Sequence, residues 1–467
     1  MNSNNIVSRI GITPVGSSKY RLNRLRFHLL AYSVARKAQL EGLNGKFIIR
    51  CDDTNANNIN RAFLDPYLEV LDSLGVKADL TPYDADATGK SLFQSERSDI
   101  YREYCAKLMN NKFAYIDDSS AIFFDTVKFF EEFEHSLVEG KMTADDMSMG
   151  KIKVDPRTPE KRGRSGLVPF PIMRANGDYL FNLCSPVDDA VMGVTHIVRD
   201  RLKLSLLPQQ EMVKAALGLP HVSYLHVPLL VNNEGKRLIH DDYFGEATFQ
   251  DFIDKGILPQ ALVSYLLSGF AGPSENHYES IDDFSRQVNF SKLHQSDSVF
   301  SRSVLDQHNR KSLGEVSEDE YRKAFWKYLG SQETDLEGAL EDNKELLAII
   351  VKARRKFSDA IQIVTSLQSV ELKPPSIELI GPVKKIMDVF IEYQLNSGNH
   401  ISFESYFIDA YEDRLKSLYL SKKEYYGSLR YILTGQEHGI DLREVIKYLV
   451  QKNQIPERFK QVRNFLD

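Results

Sequence analysis

The chain has 467 residues, 42% hydrophobic and 27% charged, with 65 acidic against 59 basic side chains and a formal net charge of −6. Such a composition belongs to an ordinary globular protein of several domains and gives no bulk attraction to nucleic acid or anionic membrane, although a local basic face stays open. Cys51, Cys105 and Cys184 are far apart in sequence, no run approaches the ~18 apolar residues of a membrane span, and the Asn-rich N-terminus has no apolar h-region. A disulfide framework, a Cys-based zinc site, a transmembrane helix and a signal peptide are therefore not expected, and a reducing compartment fits.

The first informative stretch is residues 9–55. A short apolar strand from Arg9 meets a Pro/Gly/Ser turn at 13–18. A long amphipathic helix follows, with Leu22, Leu25, Leu29, Leu30 and Val34 at spacings of three and four and Arg24, His28 and Arg36 off that stripe. A second strand over 47–49 ends in Arg50-Cys51-Asp52-Asp53. Strand, turn, helix, strand opens a nucleotide-binding α/β domain, in which ligands bind at the C-terminal strand edge. A cation at Arg9 and carboxylates at Asp52 and Asp53 suit a zwitterion there; a solvated polar loop accounts for them equally well. His28 has no local activating partner and reads as a surface or satisfied helix residue.

A second amphipathic helix directs Ile59, Phe63, Leu64, Leu68, Leu71 and Leu74 inward and ends near Gly75, and another helix is expected near 99–110. Over 115–177 the pattern changes: 123–133 is aromatic and acidic, and 151–165 is basic with Pro and Gly. This segment reads as an insertion between two halves of the first domain. The α/β pattern resumes at Tyr179. A buried strand over 194–198 ends in Arg199-Asp200-Arg201, and a strong strand over 224–231 runs into a polar turn carrying Lys236 and Arg237. Such a turn can hold phosphate, and many surface turns read the same way. Beyond Phe244 the chain is nearly all helical. A helix over 258–267 has Pro259 in its first turn, and later helices are separated near Ser331, Pro374-Pro375 and Gly398. Trp326, among Tyr321, Phe325 and Tyr328, reads as core. The basic and aromatic residues of 422–449 suit a helical binding face or an ordinary bundle.

In this order the features resemble bacterial glutamyl-tRNA synthetase, a class I aminoacyl-tRNA synthetase, along nearly the whole chain. Arg9-Ile10-Gly11-Ile12-Thr13-Pro14-Val15-Gly16 resembles the family's RFAPSPTG. Residues 47–55, FIIRCDDTN, resemble FxLRIEDTD, and Gln94-Ser95-Glu96-Arg97 with Tyr101 and Tyr104 resembles QSERxxxYxxY. Residues 187–199, VDDAVMGVTHIVR, resemble VDDHxMGVTHVIRG, and residues 429–439, LRYILTGQEHG, resemble LRxALTGxxxG. The resemblance implies an α/β class I Rossmann catalytic domain (1–88 and 181–232) split by an inserted acceptor-binding domain (89–180). A stem-contact domain (233–322) and an all-α anticodon-binding half (323–375 and 376–467) would follow. It further implies a cytoplasmic, monomeric ligase that joins glutamate to a glutamate-type tRNA through an adenylate, using ATP with Mg2+. Zinc is not implied, since residues 116–120 read IDDSS where some members carry zinc-binding cysteines.

Carried over position by position, Arg9 matches the arginine that pairs with the substrate side-chain carboxylate, and Arg199 the one that helps hold glutamate. Asp52 stands for a glutamate near the α-amino group, and Thr13 belongs to the same pocket. Phe181 stands for a pocket tyrosine and Ser185 for an asparagine, so each loses or shortens a hydrogen-bonding group. A glutamate held more weakly, or a close analogue, fits that change. The ATP motifs depart further. The family's HxGG falls on Arg21-Leu22-Asn23-Arg24, where an Asn-Arg pair should crowd the adenine. KLSKR falls on Arg237-Leu238-Ile239-His240-Asp241, so the second lysine becomes His240. Three readings stay open. One is a divergent glutamate–tRNA ligase in which Arg21, Arg24, Lys236, Arg237 and His240 handle ATP. Another is a synthetase-like tRNA or amino-acid binding protein without adenylation. The third is an amide-forming ligase activating a glutamate-like acid for a small-molecule or peptide acceptor.

Overall fold

Residues reading NIVSRIGI form β1 (Asn5–Ile12). After α1 (Leu22–Leu40) a second apolar run forms β2 (Asn44–Cys51), which pairs in parallel with β1 from Asn5↔Asn44 to Ile12↔Cys51. The structure is a computed structural model. It describes residues 4–15, 19–54, 59–138, 141–155, 168–238, 248–271, 276–332, 336–341, 343–368, 372–396, 402–437, 439 and 441–466. The chain divides into two compact units, residues 1–253 with 257–309 and residues 254–256 with 310–467.

In the first unit the chain continues through α2 (Leu64–Ser73), α3 (Ser98–Asn110), β3 (Ala114–Ile116), β4 (Ile122–Phe124), α4 (Thr126–Phe133), β5 (Met142–Asp146) and β6 (Gly150–Val154). It then forms β7 (Phe170–Met173), α5 (Phe181–Val191), β8 (His196–Asp200), α6 (Leu207–Leu217), β9 (Ser223–Val227) and β10 (Leu230–Val231). The main sheet has the order β2-β1-β8-β9-β5-β6, parallel except for β6. β1, β2, β8 and β9 carry apolar runs because both faces are covered there, whereas β5 and β6 at the edge are more polar.

The span expected as an insertion, 89–180, is divided between two sheets. β3, β4 and β7 form a separate antiparallel sheet, while β5 and β6 join the main sheet beside β9. The strand expected over 224–231 is broken in two. Pro228 has no N–H for the ladder, and β10 pairs instead with β11 (Ser298–Val299).

α1 departs most from its expected pattern. Besides its leucines it buries Asn23, Arg26, His28 and Ser33, because it packs on the sheet and also on α8 (Pro259–Ala271) and α9 (Ile281–Gln287). Arg26 gives its N–H groups to the carbonyls of Pro228 and Gly269 and to Ser298 Oγ, and burial pushes its pKa down to about 10. His28 is fully buried rather than on the surface, with Nδ1 against the Tyr20 hydroxyl. Short α7 (Phe249–Asp254) precedes α8, and α10 (Arg302–Glu315) leads the chain into the second unit.

That unit is helical: α11 (Glu318–Gly330), α12 (Leu336–Glu341), α13 (Lys344–Ala353), α14 (Phe357–Gln368), α15 (Ile377–Asn396), α16 (Tyr411–Leu418), α17 (Lys422–Thr434), α18 (Leu442–Gln451) and α19 (Ile455–Leu466). α17 packs on α15 and α19 and begins at a capping box formed by Ser421 and Glu424. Phe390 of α15 stacks on Phe459 of α19 with ring centroids 3.7 Å apart. Trp326 is half-buried rather than core: Tyr321, Phe325, Tyr328 and Leu329 form the buried stripe of α11, and Trp326 falls one residue off it.

Candidate functional site

The strand order reverses between β1 and β8, and in an open α/β sheet the crevice outside the C-terminal strand ends at such a point binds ligands. The register aligns Arg9 with Ile48 and Ile197, Gly11 with Arg50, and Arg199 with His226. Strand alternation therefore puts Arg9, Arg50 and Arg199 on one sheet face, where their side chains meet residues of α5 and α6.

The polar cluster on that face is densely paired. Arg9 donates from Nε and Nη2 to the two oxygens of Asp189, both at 2.7 Å. Arg50, wholly buried, donates to Asp52 at 2.6 Å and to Asp189 at 3.0 Å. Ser185 Oγ accepts from both arginines at 3.2 Å. Asp188 accepts from Arg97 at 2.7 Å, from the Tyr101 hydroxyl at 2.7 Å and from Gln94 at 2.8 Å; Arg97 continues to Asp86 at 2.6 Å. These adjacent carboxyls shift in opposite directions. Burial raises the Asp188 pKa despite Arg50 and Arg97, whereas at Asp189 the charges of Arg9 and Arg50 overcome burial and lower it.

Asp52 lies across Gly11, where an added Cβ would stand 2.1 Å from Asp52 Oδ2, so this arrangement needs a residue without a side chain at position 11. Thr13 is half-buried, and its carbonyl accepts from Arg24 at 3.3 Å. Phe181 opens α5, half-buried, with Lys203 Nζ 5.4 Å from its ring centroid. The shortening to Ser185 does not strand a buried partner, because its hydroxyl bridges the two arginines.

Arg199 is 6% exposed. Its Nε donates to His226 Nε2 at 3.2 Å, Nη1 donates to Gln210 Oε1 at 2.6 Å, and the guanidinium carbon stands 4.8 Å from the Tyr224 ring centroid. Nη2 has no partner among the described residues, and neither has Gln210 Nε2. Burial draws the Arg199 pKa below the usual guanidinium value. A buried cation with an open N–H suits a carboxylate.

The nucleotide motifs look different. Arg21 is exposed just before α1, with its backbone bridged to Thr248. Arg24 is half-buried, 5.4 Å from the Tyr67 ring centroid. Between them, buried Asn23 donates Nδ2–H to the Leu230 carbonyl and accepts the Leu230 N–H on Oδ1, both at 2.8 Å. A carboxamide offers a donor beside an acceptor, as an edge of adenine does. Asn23 thus fills both backbone polar groups of Leu230, whose carbonyl also accepts the Leu238 N–H at 3.1 Å. Lys236 and Arg237 are exposed after β10; Lys236 pairs with Glu234 at 2.7 Å, and the Arg237 backbone bridges to Val231. His240, residues 16–18 of the first turn and residues 156–165 of the basic run lie outside the described residues.

Arg9, Asp52, Ser185 and Arg199 thus come together on one sheet face, whereas Arg21 and Arg24 sit at the start of α1 and Lys236 and Arg237 in the turn after β10. Sequence reasoning did not single out Arg50, Asp189, Gln210 or His226 as site residues. An ionisable residue inside an otherwise apolar strand is the signal for Arg50 and His226, and Asp189 lies in the segment 187–199; nothing local marks Gln210. Among the described residues no group of three or more His, Cys, Asp and Glu is placed to hold a metal ion, and no helix is long and apolar enough to cross a membrane. In the second unit a cavity of about 760 Å³ is lined by Arg355, Asp359, Lys373, Arg430 and Glu437, among others.

Residues 22–122 and 136–307 match the family model described as tRNA synthetases class I (E and Q), catalytic domain. The chain is 23% identical to a glutamate–tRNA ligase of Desulfitobacterium hafniense over 95% of this chain and 96% of that relative. It is 27% identical to one of Clostridium acetobutylicum over 78% of each. The crystal structure of a glutamate tRNA ligase from Elizabethkingia meningosepticum, in complex with its amino acid, superposes with a TM-score of 0.72, covering 99% of this chain and 100% of that one. Sequence identity there is 18%, so this likeness bears on the fold.

Proposed function

The chain belongs to the class I tRNA synthetase family of the glutamate and glutamine enzymes, and from that premise we propose that it binds a glutamate-type amino acid and tRNA without forming the adenylate. The Asn23–Leu230 pair carries this reading. Adenine needs a bare backbone edge and small neighbours, and here the buried Asn23 side chain takes the N–H and the carbonyl of Leu230, a carbonyl that also accepts the Leu238 N–H at 3.1 Å, while Arg24 stands beside it. The residues present do not fit ATP, so no step is routed through it. Amino-acid recognition has support of its own: a carboxylate would complete the open N–H of Arg199, and Asp52 offers a carboxylate to the ammonium.

For tRNA, the support is the family and the relatives of similar length, together with the groove bearing Arg355, Lys373 and Arg430 in the helical unit. In this reading residues 233–322 meet the tRNA stem and residues 323–467 the anticodon. ATP–pyrophosphate exchange with glutamate, run with and without a tRNA pool, tests the proposal alongside calorimetric titration of tRNA. The expected result is tRNA binding with no exchange; exchange above background overturns it.

One observation favours a second reading, a slow ligase. Arg21 stands exposed at the N-terminus of α1, where the helix dipole and a cation together suit phosphate. Slow, tRNA-dependent exchange would be its mark.

A further inference from the structure

Arg199 is held on two sides and open on a third. The side held by His226 leads to a residue far away in sequence. Asp146, the last residue of β5, is 4% exposed. Its Oδ1 accepts the N–H groups of Ser148 and Met149 and the Ser148 hydroxyl, at 2.9–3.0 Å. Its Oδ2 faces the His226 backbone N–H at 3.1 Å and His226 Nδ1 at 2.8 Å.

Both oxygens therefore meet only donors, and this settles the histidine. Nδ1 carries the proton and gives it to Asp146, which leaves Nε2 as the acceptor that Arg199 Nε–H requires. Burial, reinforced by Arg199, keeps the imidazole from taking a second proton despite Asp146. On its other side Arg199 is bound to Gln210, whose Nε2 also lacks an acceptor. Arg199 Nη2 and Gln210 Nε2 are thus two buried donors on side chains tied together by one hydrogen bond. A carboxylate has two oxygens with which to complete them.

We propose that Asp146 and His226 are positioning residues. Asp146 fixes the His226 tautomer, His226 fixes Arg199, and Arg199 with Gln210 forms a two-donor fork for a carboxylate of the bound amino acid. This rests on the reading of Arg199 as an amino-acid-binding residue.

The test uses the full chain labelled with 15N-histidine and titrated with L-glutamate. In wild type, His226 (identified by the signal that Gln replacement removes) is expected as the neutral Nδ1–H tautomer. In Asp146→Asn the amide must turn its NH2 toward donors, so that signal is expected to change and glutamate binding to weaken at least tenfold. His226→Leu should weaken binding similarly. His226→Gln, whose Oε1 can accept the Arg199 Nε–H, should stay within about threefold of wild type; a merely structural loss would not be rescued in this way. A His226 that is Nε2-protonated in wild type, or glutamate affinity and a histidine signal unchanged in Asp146→Asn, overturns the proposal. If wild type does not bind glutamate, the reading of the pocket fails, and the tautomer and its response to Asp146→Asn decide the positioning role alone.

Discussion

Asp189 spans Arg9 with two 2.7 Å hydrogen bonds and takes a third from Arg50 at 3.0 Å. One carboxylate on α5 therefore compensates two buried cations that belong to different strands. Removing it leaves Arg9 without a carboxylate among the described residues and Arg50 with Asp52 alone at hydrogen-bond distance. Asp189→Asn is expected to destabilise the fold by about 3–5 kcal/mol, the usual cost of breaking a buried pair from one side. Urea unfolding followed by circular dichroism measures this; a loss below about 1 kcal/mol would mean the arginines find other partners.

Acid should act on the same groups. At both Asp189 and Asp146 burial raises the carboxyl pKa and is outweighed, by Arg9 and Arg50 at the first and by the His226, Ser148 and Met149 hydrogen bonds at the second. Their folded values lie below the ordinary Asp value of about 3.9. Their stabilisation is thus fully present above that value and lost as pH falls through the folded values. Asp188 is raised instead, so its contribution runs the other way and favours the fold as pH falls toward its unfolded value. Thermal scans should show stability falling steeply below about pH 4, and less steeply in Asp189→Asn.

Asn23→Gly frees the N–H of Leu230 and leaves its carbonyl with the Leu238 N–H alone. ATP binding, absent in wild type on the reading proposed above, is expected to become measurable in the variant by displacement of a fluorescent nucleotide. The same change should cost about 1–3 kcal/mol of stability for the lost buried hydrogen bonds and the helical glycine. Equal nucleotide affinity in the two proteins would remove Asn23 as the block.

All three cysteines are buried, and burial pushes the thiols up, Cys105 to about 11 and Cys51 and Cys184 further. Reactivity follows the thiolate. At pH 8 the native protein should resist a thiol-specific chromogenic disulfide, and the unfolded chain should release three equivalents. Rapid labelling of even one native thiol would contradict this packing.

Gly11→Ala should dislodge a side chain rather than unfold the sheet, because its Cβ meets the far end of Asp52. The cost is loss of the 2.6 Å contact with Arg50, about 1–3 kcal/mol. Differential calorimetry on Gly11→Ala and on Gly11→Ala with Asp52→Ala checks the cause: once Asp52 is truncated, alanine at 11 should carry no further penalty.

The apolar runs of β1, β2, β8 and β9 and the motifs around them were legible because they are local patterns of spacing and residue type. The family's amino-acid positions gathered on one face for the same reason: strand alternation does not depend on the rest of the chain. The saturation of Arg9 was not legible, since its partner Asp189 lies 180 positions away on a helix whose docking no local pattern dictates. Nor was the role of β5, whose short, polar MTADD resembles a loop until pairing with β9 makes it a strand. Asn23 was read only as bulk; that it reaches the Leu230 backbone depends on the break at Pro228, which sends β10 away from the main sheet.

The close approach of Asp52 to Gly11 also ties a position in β1 to the residue just after β2. In the motifs these residues resemble, the first position is alanine and the second glutamate, and this chain departs from both. With alanine in place, an aspartate cannot fold back onto Arg50 as it does here, whereas glycine tolerates either acid. The two positions are therefore coupled: a side chain at 11 and an aspartate folded onto Arg50 at 52 compete for the same space.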